Sequence, residues 1–407
     1  SARYYSDLAH QDDYYHRGKE PAGQWHGHGA KAFGLIGEVE RKAFLQLSAG
    51  LDPNTREELV HHAGTKRRRV GWDLCFSAPK SVSALWATSS EEMRELISRC
   101  QQDAVKKTLD YVEEHYGKIR VGKTGTESEQ TKKLTFALFE HSTSRALDPQ
   151  LHTHTVLINL GIAEDGRTRT LEGADLMYAK MMLGAFYRAE LAHNLQKELG
   201  VEIERGEKGT FEIVGVSKDL MNHWSKRRAE IEEELKRLGY KGAEAAAIAA
   251  LETRSEKDYP DRIDLFGRWR GEAATYGFDY REVINRREIQ REQEPRGALA
   301  LYARFDEIEK ELTQSKAYFT ERDFLRKLAE DAPHVGASLD DVLKVGRDYF
   351  DGQALHIRTE NGQKIYSTKE IFVTFISVTQ IMKAAILLIG FCFLLSQQLY
   401  SQTKPKE

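Results

Sequence analysis

Cysteine is scarce in this 407-residue chain, and its distribution excludes two classes of site. Only Cys75, Cys100 and Cys392 occur, and no CxxC pair is present. Neither a disulfide framework nor a cysteine zinc cluster is therefore expected. This cysteine usage fits a reducing compartment, so we predict a cytoplasmic location.

An excess of one charge sign is also absent. The 60 basic and 63 acidic side chains give a formal net charge of -3 at pH 7. Any nucleic-acid contact must therefore come from a local cluster, such as the run Lys66, Arg67, Arg68 and Arg69, and not from the field of the whole chain. Hydrophobic residues at 40% and charged residues at 30% are ordinary for a soluble globular protein. At about 150 residues per domain, the length predicts two or three domains.

Long apolar runs are few. Residues 1–20 are polar and aromatic, so no signal peptide is predicted there. Residues 371–395 are apolar, but Gln380 and Lys383 interrupt them and the unbroken run 384–395 has only twelve residues. A spanning helix needs about 20 consecutive apolar residues, so we do not expect the tail 371–407 to bind a membrane.

Alternating and helical patterns predict a mixed α+β fold. Residues 70–77 alternate as a strand and lead into a helix over 78–87, for which Pro79 suits the first turn and Ser77 is a possible cap. The other predicted elements are helices at 91–116 and 177–199, strands at 133–141 and 151–160, and a hairpin over 201–213.

The last part of the chain divides into two segments. Residues 218–293 are helical in pattern and rich in Arg and Lys, which by itself is typical of a solvated helical face. A boundary is predicted at 294–297. Residues 298–370 then read as short helices followed by a hairpin with Asn361-Gly362 at its turn, the order of a winged-helix module.

Two histidines, His152 and His154, interrupt the apolar strand LHTHTVLINL. Alternate side chains of a strand share a face, so the two rings lie on one side, roughly 6.6 Å apart along the chain. Alone, this pair favours hydrogen-bonded core or surface histidines. Antiparallel pairing of the two neighbouring strands would bring His141 near His152, and three neutral imidazoles with open positions suit one catalytic divalent ion, whether Mg, Mn, Ni or Zn.

Other candidate groups have ordinary alternatives. Asp73 is either a strand carboxylate that faces water or the acceptor that a metal-bound imidazole needs for its second N–H. The pairs Tyr4-Tyr5 and Tyr14-Tyr15 are, without context, packing or surface aromatics. A tyrosine hydroxyl can also attack phosphorus when a metal withdraws charge from the phosphate and a base takes up the proton.

Several separated motifs nevertheless agree with one family. After the tyrosine pairs come, in order, WHGHGAKAFGLIGEV at 25–39, GWDLCFSAPKSVS at 71–83, FEHSTSRALDPQLHTHTVLINL at 139–160, and AAIAALETRSEKD followed by LFGRWRGEAATYG up to 277. Over nearly all of residues 4–290 the chain resembles the MobF-type, TrwC/TraI-like HUH conjugative relaxases of bacteria. The resemblance implies a relaxase domain over 1–293, with a central antiparallel sheet flanked by helices and a DNA-covering helical flap at 218–293.

The resemblance also implies an activity and its residues. It implies metal-dependent, strand-specific DNA nicking and joining at a transfer origin, through a 5'-phosphotyrosyl intermediate. The metal ligands would be His141, His152 and His154, and Asp73 would orient a histidine. The first nucleophile would be Tyr4 and the second Tyr14, with Tyr5 and Tyr15 as lesser candidates. The expected DNA contacts are Lys66, Arg67, Arg68, Arg69 and Lys80.

The implied partners are single-stranded and hairpin DNA at the origin, conjugation accessory proteins and a secretion coupling protein, with the chain acting as a monomer.

Three features depart from the family. Only Ser1, Ala2 and Arg3 precede Tyr4, so an initial strand is expected to be missing. No GxxxxGK[ST] loop occurs, so we interpret 298–370 as the start of a truncated helicase region, and the tail 371–407 as the product of a frameshift or insertion. The alternative functions are a non-catalytic DNA-hairpin-binding remnant and an unrelated tri-histidine hydrolase.

Overall fold

A computed structural model describes residues 20–65, 68–122, 125–206, 209–239, 242, 245, 248–250, 262–284, 297–360 and 363–373. Its helices are α1 His28–Ala32, α2 Arg41–Ala49, α3 Lys80–Thr88, α4 Glu91–Tyr116, α5 Ala174–Leu199, α6 Lys218–His223, α7 Lys226–Leu238, α8 Arg262–Thr275, α9 Ala298–Tyr302, α10 Phe305–Thr313, α11 Glu321–Val335 and α12 Leu339–Gly352. Its strands are β1 Gln24–His26, β2 Gly71–Ser77, β3 Lys118–Val121, β4 Glu127–Gln130, β5 Leu134–Thr143, β6 Pro149–Ile162, β7 Thr168–Arg169, β8 Ile203–Arg205, β9 Phe211–Ile213, β10 Phe319–Thr320, β11 Leu355–Glu360 and β12 Gln363–Ser367.

An antiparallel sheet lies at the centre, in the order β1-β5-β6-β2, with β7 also paired to β6. The predicted α+β class and its central antiparallel sheet are confirmed. The strand β6 is 14 residues long and extends beyond the predicted 151–160 at both ends. Because β6 pairs with both β5 and β2, it fixes the register of every strand that carries a predicted site residue.

Apolar side chains cover both faces of this sheet. On one face Trp25, Phe139 and Val156 pack with Phe44 of α2 in a small cluster. On the other face Phe136 and its neighbours join a larger core with α3, α4 and α5. The polar side chains of the candidate site continue the first face beyond the small cluster, because residues directly opposite on paired strands share a face.

The helix after β2 starts later than its sequence suggests. We expected a helix from residue 78 with Pro79 in its first turn and Ser77 as a cap, but α3 begins at Lys80 and has no side-chain cap. The chain is still extended at Pro79, where ψ is 154°. Ser77 cannot cap the helix because it is the last residue of β2, where it pairs with His152.

Residues 298–367 contain helices followed by the hairpin β11–β12, with the strand order β10-β12-β11. Their apolar side chains join the same core as α3, α4 and α5, and two hydrogen bonds link them to α5. Gln196 donates to the carbonyl of Pro333 at 2.9 Å, and the buried Glu190 accepts the backbone N–H of Leu339 at 2.8 Å, at the start of α12. The domain limits 1–293 and 298–370 stay predictions.

The C-terminal tail is described only for residues 371–373, so most of the predicted segment 371–407 lies outside the described residues. Among the residues that the structure describes, no helix has the length and apolar character needed to span a bilayer.

Candidate metal centre

Three histidines converge where β5 meets β6. His141 lies directly opposite His152, and His154 is opposite Phe139, two positions along the same face. The three ring centroids are 5.1 to 5.3 Å apart, and one nitrogen of each ring lies within 4.8 Å of the other two. His141 is buried, whereas His152 and His154 are partly accessible. The sequence correctly predicted this convergence from the period of the strand and the antiparallel pairing.

Hydrogen bonds orient two of these rings for metal binding. The Nδ1 of His152 is 2.7 Å from the carbonyl oxygen of Gln150, and the Nδ1 of His154 is 2.8 Å from Oδ2 of Asp73. Both partners are acceptors, so each Nδ1 carries the proton and donates it. In a neutral imidazole the lone pair then lies on Nε2, which is the atom that would bind a cation. The donor set therefore fits a divalent metal whose identity is not fixed by these ligands.

The edge strand β2 frames the other side of the centre. Cys75 lies opposite His154 and Ser77 lies opposite His152, so both side chains share the histidines' face, and both are exposed. The exposure of this edge leaves room for a substrate to approach the two accessible histidines.

Glu20, the first residue that the structure describes, is hydrogen-bonded beside the histidine triad. The carboxylate of Glu20 accepts hydrogen bonds from the backbone N–H and the hydroxyl of Ser142, each at 2.7 Å. Ser142 follows His141 directly and lies where the β5–β6 register shifts. The predicted nucleophiles Tyr4, Tyr5, Tyr14 and Tyr15 lie outside the described residues, upstream of this anchor.

Lys80, which the sequence predicts to contact DNA, forms hydrogen bonds within the protein. Its ammonium donates to the carbonyl of Pro149 and to Oε1 of Gln150, both at 2.8 Å. Burial lowers the pKa of Lys80 to about 8, against the opposing effects of Asp148 and Glu212. These contacts brace the segment that leads to His152, a role that sequence reasoning missed.

At the start of α3, a backbone N–H that could bind an anion already has an acceptor within the protein. We expected its N-terminus to add positive potential near the centre. The backbone N–H of Ser81 is instead bonded to the carboxylate of Glu212 at 3.1 Å. Burial raises the pKa of this carboxyl. This first-turn amide is therefore not available to a substrate phosphate.

Helices after residue 218 contact the loop between the ligand strands. The side chain of Asp148, only 1% exposed, accepts hydrogen bonds from the backbone N–H of Lys226 at 2.9 Å and from its Nζ at 3.1 Å. The indole N–H of the buried Trp269 donates to the carbonyl of Leu147 at 3.1 Å. Sequence reasoning missed these contacts, because nothing in the local pattern indicates a partner 78 or 122 positions away.

A cavity of about 590 Å³ lies at the other end of β2 and β6. Arg68, Arg69, Trp72 and Arg120 are among its lining residues. Arg68 donates to the carbonyls of Ser48 and Asn159, and burial lowers its pKa to about 10. Lys66 and Arg67, the rest of the predicted basic run, lie outside the described residues.

Within the described part of the chain, no carboxylate lies within ion-pair distance of the Arg68 guanidinium, and its buried Nη1 has no hydrogen-bond acceptor. The guanidinium of Arg69 lies over the Trp72 ring, 5.4 Å from its centroid. A partly buried guanidinium that lacks a carboxylate partner among the described residues favours an anionic ligand, because burial makes an uncompensated charge costly.

Comparison with known proteins agrees with this geometry. The family model described as TrwC relaxase matches residues 1–276. Two Multifunctional conjugation protein TraI sequences, from Escherichia coli and from its strain K12, are 31% and 32% identical to the chain over 316 and 304 residues. These alignments cover 72% and 70% of the chain, but only 17% and 16% of the TraI proteins.

Solved structures of the conjugative relaxase TrwC also match. Its copper-bound complex with oriT DNA has a TM-score of 0.60 and 33% identity, covering 67% of this chain and 96% of the TrwC chain. Its complex with a 27-mer DNA that comprises the recognition hairpin and the cleavage site has a TM-score of 0.59 and 32% identity, covering 69% and 96%. The predicted resemblance is confirmed, and the chain belongs to the TrwC relaxase family.

Proposed function

We propose that this chain nicks and rejoins one DNA strand at a transfer origin, with a tyrosine as the nucleophile. The observation that carries the proposal is the histidine triad, in which one nitrogen of each ring lies within 4.8 Å of the other two and the Nδ1 protons of His152 and His154 are bound by acceptors. A divalent ion held there would polarise the scissile phosphate and stabilise the charge that develops on it.

The protein's own groups supply the remaining chemistry. The attacking tyrosine oxygen forms a bond to phosphorus, its proton passes to a base, and the bond from phosphorus to the 3' oxygen breaks. That oxygen takes up a proton and leaves as a 3'-hydroxyl, while the 5' phosphate stays on the tyrosine. Because the phosphotyrosyl bond keeps the free energy of the broken diester, the reverse attack rejoins the strand without ATP.

Chain length is compatible with tyrosines at the centre. Glu20 is bonded to Ser142, the neighbour of His141. Tyr15 precedes Glu20 by five residues and Tyr4 by sixteen. At about 3.5 Å per extended residue, these separations allow spans of up to roughly 17 and 55 Å. These upper limits are compatible with an attack by a tyrosine at the triad, and we assign Tyr4 the first attack and Tyr14 the second.

Duplex DNA of an origin hairpin would bind at the cavity near Arg68. The guanidinium of Arg68, whose Nη1 has no acceptor among the described residues, and the exposed Arg69 provide positive charge for phosphates, and Trp72 provides an aromatic surface. This cavity lies at the Asn159 end of β6, whereas the histidines lie at its Pro149 end. Lys66 and Arg67 belong to this proposed surface by sequence.

A covalent-adduct assay tests the proposed function. An oligonucleotide that carries the transfer origin of the encoding element is labelled at its 3' end and incubated with the protein and Mn²⁺. Attack leaves the label on the protein, where a denaturing gel detects it. The adduct should require the metal and disappear in Tyr4→Phe and His154→Ala. His26→Ala, which removes a histidine of β1 bonded to Asp110, is the matched control and should retain it.

Other results of this assay would change or overturn the proposed function. Loss of the adduct in Tyr14→Phe but not in Tyr4→Phe would move the first attack to Tyr14. Hairpin binding without any adduct would support the DNA-binding remnant, and absence of DNA affinity would overturn the proposal. The metal identity, the accessory and coupling proteins, the monomeric state and the cytoplasmic location stay predictions.

A further inference from the structure

The flap helix α7 obtains its N-terminal cap from a distant part of the chain. Its own N-cap residue, Ser225, makes no side-chain cap. The first backbone N–H of the helix, that of Lys226, donates instead to Oδ2 of Asp148 at 2.9 Å. A carboxylate at this position satisfies one unpaired amide and interacts favourably with the positive end of the helix dipole.

Asp148 belongs to the loop that joins the two ligand strands. The loop is closed by Ser144, whose N–H donates to the Asp148 carbonyl at 2.9 Å and whose hydroxyl accepts the Asp148 N–H at 3.2 Å. Leu147, before Asp148, has a left-handed φ of 59°. The carboxylate is thus held in one place, seven positions after His141 and four before His152.

A second bond joins the same loop to the next helix. The indole N–H of Trp269 in α8 donates to the carbonyl of Leu147 at 3.1 Å. Trp269 is fully buried and packs against Phe266, with the ring centroids 5.6 Å apart. Two separate helices of the segment 218–293 are therefore bonded to consecutive loop residues, beside the metal ligands.

We propose that Asp148 is a positioning residue that fixes α7 to the loop between the metal ligands, so that retention of bound DNA depends on this carboxylate while metal affinity does not. The proposal rests on the proposed function, in which the segment 218–293 covers single-stranded DNA. The ligand rings are held by strand register, by Asp73 and by the Gln150 carbonyl, none of which involves α7.

Three substitutions separate the two bonds. Asp148→Asn keeps an acceptor for the Lys226 N–H but loses the charge, and Lys226→Met loses only the ammonium, so the two variants should behave alike. Asp148→Ala loses both bonds. We expect DNA to dissociate faster in Asp148→Ala by about 2- to 30-fold, the range produced by loss of an N-cap, and by less in the other two.

The measurements are made on the full chain. The release rate of a fluorescent single-stranded origin oligonucleotide reports on α7, and calorimetric titration with Mn²⁺ alone reports on the triad. Hydrogen exchange at the amides of residues 226–229 needs no DNA, and should become faster in Asp148→Ala. Asp165→Asn, which removes an exposed hairpin carboxylate paired with Arg169, is the control and should change neither DNA release nor this exchange.

Unchanged exchange at 226–229 in Asp148→Ala would overturn the proposal, whatever the DNA results. Faster exchange with an unchanged release rate would overturn the DNA part of it and leave a purely structural cap. A protein that binds no DNA in any form would refute the proposed function and, with it, the DNA part, while the exchange experiment would still decide the positioning role. A weakened Mn²⁺ affinity in Asp148→Ala would contradict the stated independence of the triad.

Discussion

His154 and Asp73 stand on adjacent strands, 81 positions apart in sequence, and are joined by a 2.8 Å hydrogen bond from the imidazole Nδ1 to the carboxylate Oδ2. Asp73 pairs with Val156, so it reaches His154 diagonally across the sheet. The carboxylate therefore orients a ring that it does not directly face.

Asp73→Ala should lower the affinity for Mn²⁺ by about 10- to 100-fold, the effect typical of losing the partner of a ligating histidine. Asp73→Asn keeps an acceptor and should lose less. Isothermal titration with the metal measures both. Asp110→Asn, which alters the acceptor of His26 away from the centre, should leave the affinity unchanged. Equal affinity in Asp73→Ala and the parent chain would contradict the orienting role.

Gly71 lets β2 approach β6 closely. A Cβ at this position would lie 2.0 Å from the carbonyl oxygen of Leu157. Gly71→Ala should therefore lower the free energy of unfolding by more than about 2 kcal/mol and weaken metal binding, since Asp73 is two residues away. Urea denaturation measures the first effect and metal titration the second.

Gly267→Ala is the matched control. Gly267 lies in the interior of α8, and a Cβ there would meet nothing within 4 Å. The same substitution should here raise the free energy of unfolding by about 0.5 to 1 kcal/mol. Equal effects at the two positions would refute the steric account of Gly71.

Stability should fall in mild acid because of His334. Burial, with Arg205 and Arg304 nearby, lowers the pKa of His334 to about 4 from 6.5. Between these values the unfolded chain binds the proton and the folded chain does not, so this contribution is lost as pH falls from about 6.5 toward 4, at up to roughly 1.4 kcal/mol per unit. It is fully present above pH 6.5.

Urea denaturation of the parent chain and His334→Gln at pH 7 and pH 5 measures this contribution. The parent chain should lose more stability than the variant. His356→Gln, at an exposed histidine of β11, should follow the parent chain. Identical losses in the parent chain and His334→Gln would show that other groups cause the acid sensitivity.

Duplex binding at the cavity near Arg68 should depend on Arg69. In Arg69→Met the affinity for an origin hairpin should fall, and the slope of log affinity against log salt concentration should decrease by about one, because one phosphate contact is lost. Fluorescence anisotropy at several salt concentrations gives the slope. Arg358→Met removes an exposed arginine of β11 and should change neither value; an unchanged slope in Arg69→Met would remove Arg69 from the proposed surface.

The sequence was sufficient for the parts of the site that depend on strand period. His152 and His154 share a face because they are two positions apart, and one antiparallel pairing brings His141 to them. The local pattern predicts the start of α3 two residues too early, because the extended pairing of Ser77 with β6 outweighs the local preference of Pro79 for a first turn.

Partners that depend on tertiary structure could not be predicted. The acceptor for His152 is a backbone carbonyl, that of Gln150, and every residue type supplies one. Asp148 and Lys226 are ordinary loop and helix residues until the fold brings them together. The basic run 66–69 predicts a DNA contact for Arg68. Its hydrogen bonds to the carbonyls of Ser48 and Asn159 depend on tertiary packing, which the run does not indicate.

The distance in sequence between contacting residues of the metal centre determines which of these contacts can form early in folding. The three metal ligands lie on two neighbouring strands, β5 and β6, that pair directly, whereas Asp73 is 81 positions from His154, the ring that it orients. Closing such long loops is entropically costly and non-local strand pairing is slow. The local pairing of β5 with β6 can therefore bring the three imidazoles together before the slower pairing of β2 brings Asp73 to His154, so the full metal affinity should appear only when β2 has joined the sheet.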